Sequence, residues 1–278
     1  MGHRTKSKIN KKKSDVFLNI LLGLMIIIFV VSGGYLGLYY YHICRSEKSF
    51  DSVRNLISKD KDNIIDENKN QEKTSVTDAF QMVNGKSVLK KFEKIYAENN
   101  DFVGWLSISG TKIDYPVVFT PNDEQFYIHK NFYKVKDSAG TLFLGAGSNP
   151  EKPSDNIIIY GHNMRAGTMF HSLLDYQKED FYKEHSKITF DTIYGKGTYK
   201  IVAAFPTEIN ENEDDFKYYD FYNANSEKEF DEFISECKKR TLYNIPVNAE
   251  YGDKMITLST CSYHAKNGRF VVVAKKVK

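Results

Sequence analysis

Hydrophobic and polar positions change texture several times along the chain. Residues 16–43 form an uncharged run of 28 residues, VFLNILLGLMIIIFVVSGGYLGLYYYHI. That exceeds the roughly 20 residues needed for a helix to cross a bilayer. Residues 46–76 are rich in Lys, Asp, Glu, Asn and Ser, and read as an extended stalk with a helical stretch around FDSVRNLI. Ser87 then opens a helical period with Val88, Leu89, Phe92, Ile95 and Tyr96 on one face, predicting a helix over 87–98. Beyond Asn99-Asn100 come short β-branched or aromatic runs separated by Gly, Asn, Asp and Pro. They are WLSI, KIDYPVVF, TLFLG, NIIIYG, KITFDTI, TYKIVAAF, KMITLS and RFVVVAKKV. Eight strands at this spacing predict a mainly β domain, either a closed barrel or a sandwich. One long helix interrupts them at 226–240. It opens on the capping box Ser226 to Glu229 and carries Phe230, Phe233, Ile234 and Cys237 at helical spacing.

Charge sharpens the reading of the first run. The chain has 278 residues and a formal net charge of +3. Residues 1–15 carry six basic side chains against Asp15, a local +5, so the other 263 residues sum to −2. A near-neutral body has no electrostatic grip on nucleic acid. A basic flank before an apolar run predicts a single span with the N-terminus cytoplasmic and the rest outside the membrane, and Tyr39, Tyr40 and Tyr41 suit the far interface. A cleaved signal peptide is the alternative, with SGGYLG as a poor cleavage site. The boundaries expected are a cytoplasmic segment 1–15, an anchor 16–43, an extracellular stalk 44–86 and a globular domain 87–278.

Three cysteines, 44, 237 and 261, cannot make a disulfide framework. Cys237 falls on the apolar face of the 226–240 helix and reads as core. Cys261 ends the strand TLSTC, seven residues of loop follow, and Arg269 opens the next strand. Antiparallel pairing of those strands puts Arg269 across from Cys261 with Cα atoms about 5 Å apart. There a guanidinium could stabilise a thiolate or donate to an oxyanion, although a surface arginine and a buried thiol would read the same way. His162 follows the apolar strand NIIIYG, where a barrel rim would present it; a hydrogen-bonded structural histidine is the other reading. His264 lies in the loop after Cys261 and reads as solvent-exposed. A zinc site from Cys261, His264 and His162 lacks a second ligand pair, so no metal is expected. The acidic run Glu211, Glu213, Asp214 and Asp215 reads as a solvated loop rather than a calcium site.

The stretch from Asn100 to Lys275 resembles the sortases, cysteine transpeptidases of Gram-positive cell surfaces. TLSTC matches the family's TLxTC signature, Arg269 falls where the family's arginine is expected, and YGHNM matches the segment around its histidine. DFVGWLSISGTKIDYPVV and MFHSLLDY are also similar. The helices at 87–98 and 226–240 look like those of class B. The resemblance implies a closed eight-stranded barrel with N-terminal helices and one long helix between late strands. It implies Cys261 as nucleophile, His162 as general acid and base, and Arg269 as oxyanion or thiolate stabiliser. Ser259, Thr260, Tyr218 and Tyr219 are the candidates for lining the substrate pocket. No cofactor is implied. The implied partners are exported proteins with a C-terminal sorting signal, cleaved after Thr, and an amino group of a peptidoglycan precursor. Another cell-wall cysteine transpeptidase or endopeptidase, or a non-catalytic tethered binding module, stays open on the sequence.

Overall fold

A computed structural model describes residues 3–57, 79–209, 216–262 and 265–277. Two compact units divide the chain, Met1–Glu47 and Lys48–Lys278. A helix, α1 (His3–Arg54), runs through the first and contributes its last residues to the second. It is the one helix among the described residues long and apolar enough to cross a membrane. Between Phe17 and Tyr41 its large apolar side chains are exposed, Phe29 to 79%.

The second unit is built on a closed barrel, so the sandwich alternative falls away. Its strands are β3 (Phe102–Ser107), β4 (Asp114–Val118), β5 (Leu142–Leu144), β6 (Asn156–Tyr160), β7 (Lys187–Thr192), β8 (Thr198–Glu208), β9 (Met255–Cys261) and β10 (Gly268–Lys276). They correspond one for one with the eight sequence runs. Around the barrel the order is β10-β8-β7-β3-β4-β5-β6-β9, closed between β9 and β10. Most pairs are antiparallel, but β4 with β5 and β6 with β9 are parallel. β10 shows why its sequence is a continuous apolar run. Phe270, Val272 and Ala274 face the barrel interior, while Val271 and Val273 face a second cluster outside it. A strand buried on both faces has no polar side to alternate.

That outer cluster belongs to α4 (Glu227–Arg240), the long helix between β8 and β9. Phe230, Phe233, Ile234 and Cys237 form its buried stripe. Ser226 caps it, accepting from the backbone N–H of Glu229. The Glu229 carboxylate reaches back to the backbone N–H of Asn225, one residue earlier than a standard capping box. A shorter helix, α3 (Glu179–Glu184), follows a 3-10 segment at His171–Gln177. The sequence pattern singles out neither.

The chain before the barrel differs from the expectation. The helix foreseen over 87–98 begins as a strand. β1 (Phe80–Val83) and β2 (Lys86–Leu89) form a hairpin, and only then come a 3-10 turn and α2 (Glu93–Glu98). The turn is Asn84-Gly85, with φ of 49° and 79°. Positive φ at both central residues is the I′ geometry that Asn-Gly favours, so the signal was in the sequence. Within the span expected as stalk, Phe50 and Val53 are buried. Phe50 meets Tyr115 edge to face at 5.0 Å, and Arg54 donates to Asp114 at 2.6 Å. Residues 58–78 of that span lie outside the described residues.

Candidate active site

β9 is the centre of the site because its two neighbours bring different chemistry to its end. On one side the antiparallel ladder with β10 pairs Arg269 with Cys261, in the register foreseen from the loop length. On the other, the parallel ladder with β6 sets Tyr160 level with Ser259. Parallel strands advance together, so two further residues on each place His162 level with Cys261. The ladder's continuation is held by hydrogen bonds. Gly161 N–H donates to the Ser259 carbonyl at 3.2 Å, and the Thr260 hydroxyl donates to the Gly161 carbonyl at 2.7 Å. Only glycine fits at 161: a Cβ there would meet a Leu142 methyl and lie 2.8 Å from the Phe170 ring.

Cys261, His162 and Arg269 border one cavity of about 300 Å³. Ser259, Thr260, Tyr218 and Tyr219 border it too, together with Glu124, Ile128 and Tyr160. The four pocket candidates therefore reach the cavity, but they are not alike. Ser259 and Thr260 are 1% and 2% exposed, and their hydroxyls are committed inward. Ser259 Oγ shares a 2.7 Å hydrogen bond with the Tyr218 hydroxyl. Burial pushes the Tyr218 phenol up to about 12, against the pull of the Ser259 hydrogen bond and the Arg269 charge. Tyr219 packs edge to face on Tyr218 at 5.4 Å.

His162 is oriented by a backbone acceptor. Its Nε2 lies 2.7 Å from the Ile128 carbonyl, which can only accept, so Nε2 carries the hydrogen. Nδ1 is then the atom free to exchange a proton. The ring stacks on His129, centroids 5.4 Å apart and planes within 14°. Burial holds the His162 pKa below its ordinary value; the Ile128 hydrogen bond opposes this and nearby His129 adds to it. Arg269 donates from Nη1 to the Gly268 carbonyl at 3.0 Å, which bends the guanidinium back over its own strand start.

Sequence reasoning missed several neighbours of the site. Glu124, Ile128 and His129 come from the segment between β4 and β5, about 35 residues before His162, and no local motif marks them. Asn163, next to His162, bonds the Cys261 carbonyl. Cys237 is fully buried in α4's stripe, with its thiol pKa raised well above normal by burial. It is a core residue there, as the helical spacing implied. His264 and the acidic run at 211–215 lie outside the described residues. Among the described residues, no group of three His, Cys, Asp or Glu side chains is placed to hold a metal ion.

Comparison with known proteins gives this geometry its setting. A sortase-domain family model matches residues 106–277. Sortase B of Staphylococcus aureus is 34% identical over 204 residues, spanning 72% of this chain and 81% of that protein. A Staphylococcus aureus sortase B–substrate complex superposes with a TM-score of 0.63 at 33% identity, covering 69% of this chain and 86% of the other. A sortase B complexed with triglycine superposes with a TM-score of 0.61 at 32% identity, covering 68% and 86%.

Proposed function

The chain belongs to the sortase family, class B, and on that premise we propose that it is a membrane-anchored transpeptidase acting through Cys261, His162 and Arg269. A sortase is a cell-wall cysteine transpeptidase. The finer steps are a reading of the site, carried by one observation: three neighbouring strand ends bring these side chains to a single cavity.

In this reading a sorting motif of an exported protein lies in the cavity with its Thr carbonyl carbon against Cys261 Sγ. Neutral His162 takes the thiol proton, and the sulfur attacks as thiolate. The C–S bond forms, and the carbonyl oxygen becomes an oxyanion that accepts from the Arg269 guanidinium. The C–N bond then breaks, and the imidazolium returns its proton to the leaving amine. What remains is a thioester on Cys261. An amino group of a peptidoglycan precursor attacks it, His162 removes the amine's proton, and the C–S bond breaks to give an amide. Water competes at this second step, so slow hydrolysis accompanies transfer. The residues supply each proton and charge that the cycle needs, with no cofactor.

Substrate and triglycine complexes exist for similar sortases B, which supports a sorting peptide and an amine as the two reactants. Tyr218 and Tyr219 form the wall against which the peptide lies, while Ser259 and Thr260 hold that wall and the His162 strand end in place. The uncovered apolar stretch of α1 supports an anchor at 16–43, with residues 1–15 cytoplasmic and the catalytic domain outside.

The deciding experiment incubates the full chain in detergent with a sorting peptide and triglycine, and follows products by mass. The cross-product must form with wild type and be absent with Cys261→Ala. Hydrolysis alone would favour an endopeptidase, and an active Cys261→Ala variant would end the reading.

A further inference from the structure

Asn163 follows His162 directly, is 7% exposed, and makes two side-chain hydrogen bonds. Its Nδ2 donates to the backbone carbonyl of Cys261 at 3.1 Å, and its Oδ1 lies 2.7 Å from Nδ1 of His171. The amide's orientation follows from chemistry. A flipped amide would set an oxygen against the Cys261 carbonyl, two acceptors with no proton between them. With Oδ1 facing His171, the His171 Nδ1–H is the donor. The intervening loop is itself closed: Asn163 and Met169 form an antiparallel bridge, and Phe170 N–H donates to the His162 carbonyl at 2.9 Å. Met169 N–H donates to the Tyr115 hydroxyl at 3.1 Å. His162, Asn163 and His171 thus belong to one hydrogen-bonded loop, and the Asn163 amide is its side-chain link to the Cys261 carbonyl.

We propose that Asn163 is a positioning residue that sets the separation between Cys261 and His162, and that His171 holds Asn163 in the donating orientation. Parallel ladder bonds fix β6 against β9 only up to Gly161. Beyond it, His162 lies past the end of β6 and Cys261 is the last residue of β9, with no further ladder pair between the two strands. A hydrogen bond from the residue after the base to the carbonyl of the nucleophile spans that gap. Thiolate formation depends on a close imidazole, so a small widening there reaches the chemistry directly. The inference rests on Cys261 and His162 acting as a pair, and it adds a residue that touches neither substrate nor reacting atom.

The test uses the full chain in detergent, with Asn163→Ala, the isosteric Asn163→Asp, His171→Ala and His171→Gln. Asp keeps the acceptor for His171 and loses the donor to Cys261, so Ala and Asp should be impaired alike. Single-turnover acylation should fall roughly 10- to 100-fold with KM unchanged. Cys261 alkylation by iodoacetamide, read at one fixed pH, should slow in step with acylation, and a merely structural role would leave it unchanged. His171→Ala should follow in the same direction, and His171→Gln, which can still donate, should recover much of the rate. Wild-type acylation in the Asn163 variants would overturn the proposal, as would a loss of rate with unchanged alkylation. If Asn163→Ala fails to fold, the His171 pair decides by the same criteria. Wild type run in parallel separates the two readings: no acylation at Cys261 in wild type would refute the transpeptidase mechanism itself.

Discussion

At Arg269 the two roles open to a guanidinium make opposite demands on a lysine. If the side chain only raised the local positive potential, Lys would largely substitute. If it aims hydrogen bonds at an oxyanion one strand away, a compact ammonium on a flexible stem should fail. We expect Arg269→Lys and Arg269→Ala to be similarly poor, each losing roughly 10²–10³-fold in single-turnover acylation, with peptide binding changed less. Near-wild-type acylation by the Lys variant would leave Arg269 as a charge or a strand-end residue. In the proposed mechanism His162 carries the pH dependence: it must be neutral to take the thiol proton, and burial keeps its pKa below the ordinary 6.5. Activity should therefore fall as pH drops, with the acid limb of acylation centred below 6.5. His129 adds to that depression, so His129→Ala should move the limb upward. A wild-type limb above 6.5 would contradict this. At this scale the sequence was legible where chemistry is written locally, in TLSTC, in YGHNM and in the loop length that puts Arg269 opposite Cys261. Ile128, His129 and Glu124 were not, because only barrel closure brings that segment to the site.

Elements were readable in proportion to how strictly one period held. α4 is the clearest, since a capping residue and a helical stripe agree. The stripe also makes a prediction, because Cys237 packs inside it and does not border the cavity. Cys237→Ala should cost about 1–2 kcal/mol in denaturant unfolding and leave acylation unchanged. A loss of activity with stability intact would place that thiol in the mechanism. The eight strands were legible as apolar runs, but their neighbours were not. Nothing in NIIIYG or TLSTC says that they lie side by side and parallel, since pairing is decided by sheet closure and not by either run. The hairpin of β1 and β2 was hidden for a different reason. Val88, Leu89 and Phe92 fit a helical face, and that pattern masks a strand that the Asn84-Gly85 turn just before it initiates. Once the turn forms, Leu89 N–H donates to the Ile193 carbonyl, and the residues before Lys90 are committed to the sheet.

For the whole molecule, the testable question is which side of the membrane holds the barrel. A basic flank of +5 before a 28-residue uncharged run predicts that protease added to intact, wall-stripped cells degrades the catalytic domain, with the anchor still attached. A protected domain, or a mature N-terminus near Gly34, would refute it. The burial of Phe50 and Val53 means that the ordered body starts closer to the span than composition suggested; a few apolar residues in a polar stretch are a weak signal that only packing resolves. The strand order also bears on when the enzyme can first act. β6 pairs with β9 across about 100 residues of chain, and β10 must arrive to complete Cys261's other side. Contacts of such long range form late, after most of the loop-closure entropy has been overcome. A chain whose β10 has not yet paired with β9 has Cys261 without Arg269 opposite it, and on the proposed mechanism it stays catalytically silent. On the proposed mechanism, acyl transfer at Cys261 would appear only with barrel closure, which makes it a clock for the last event of folding.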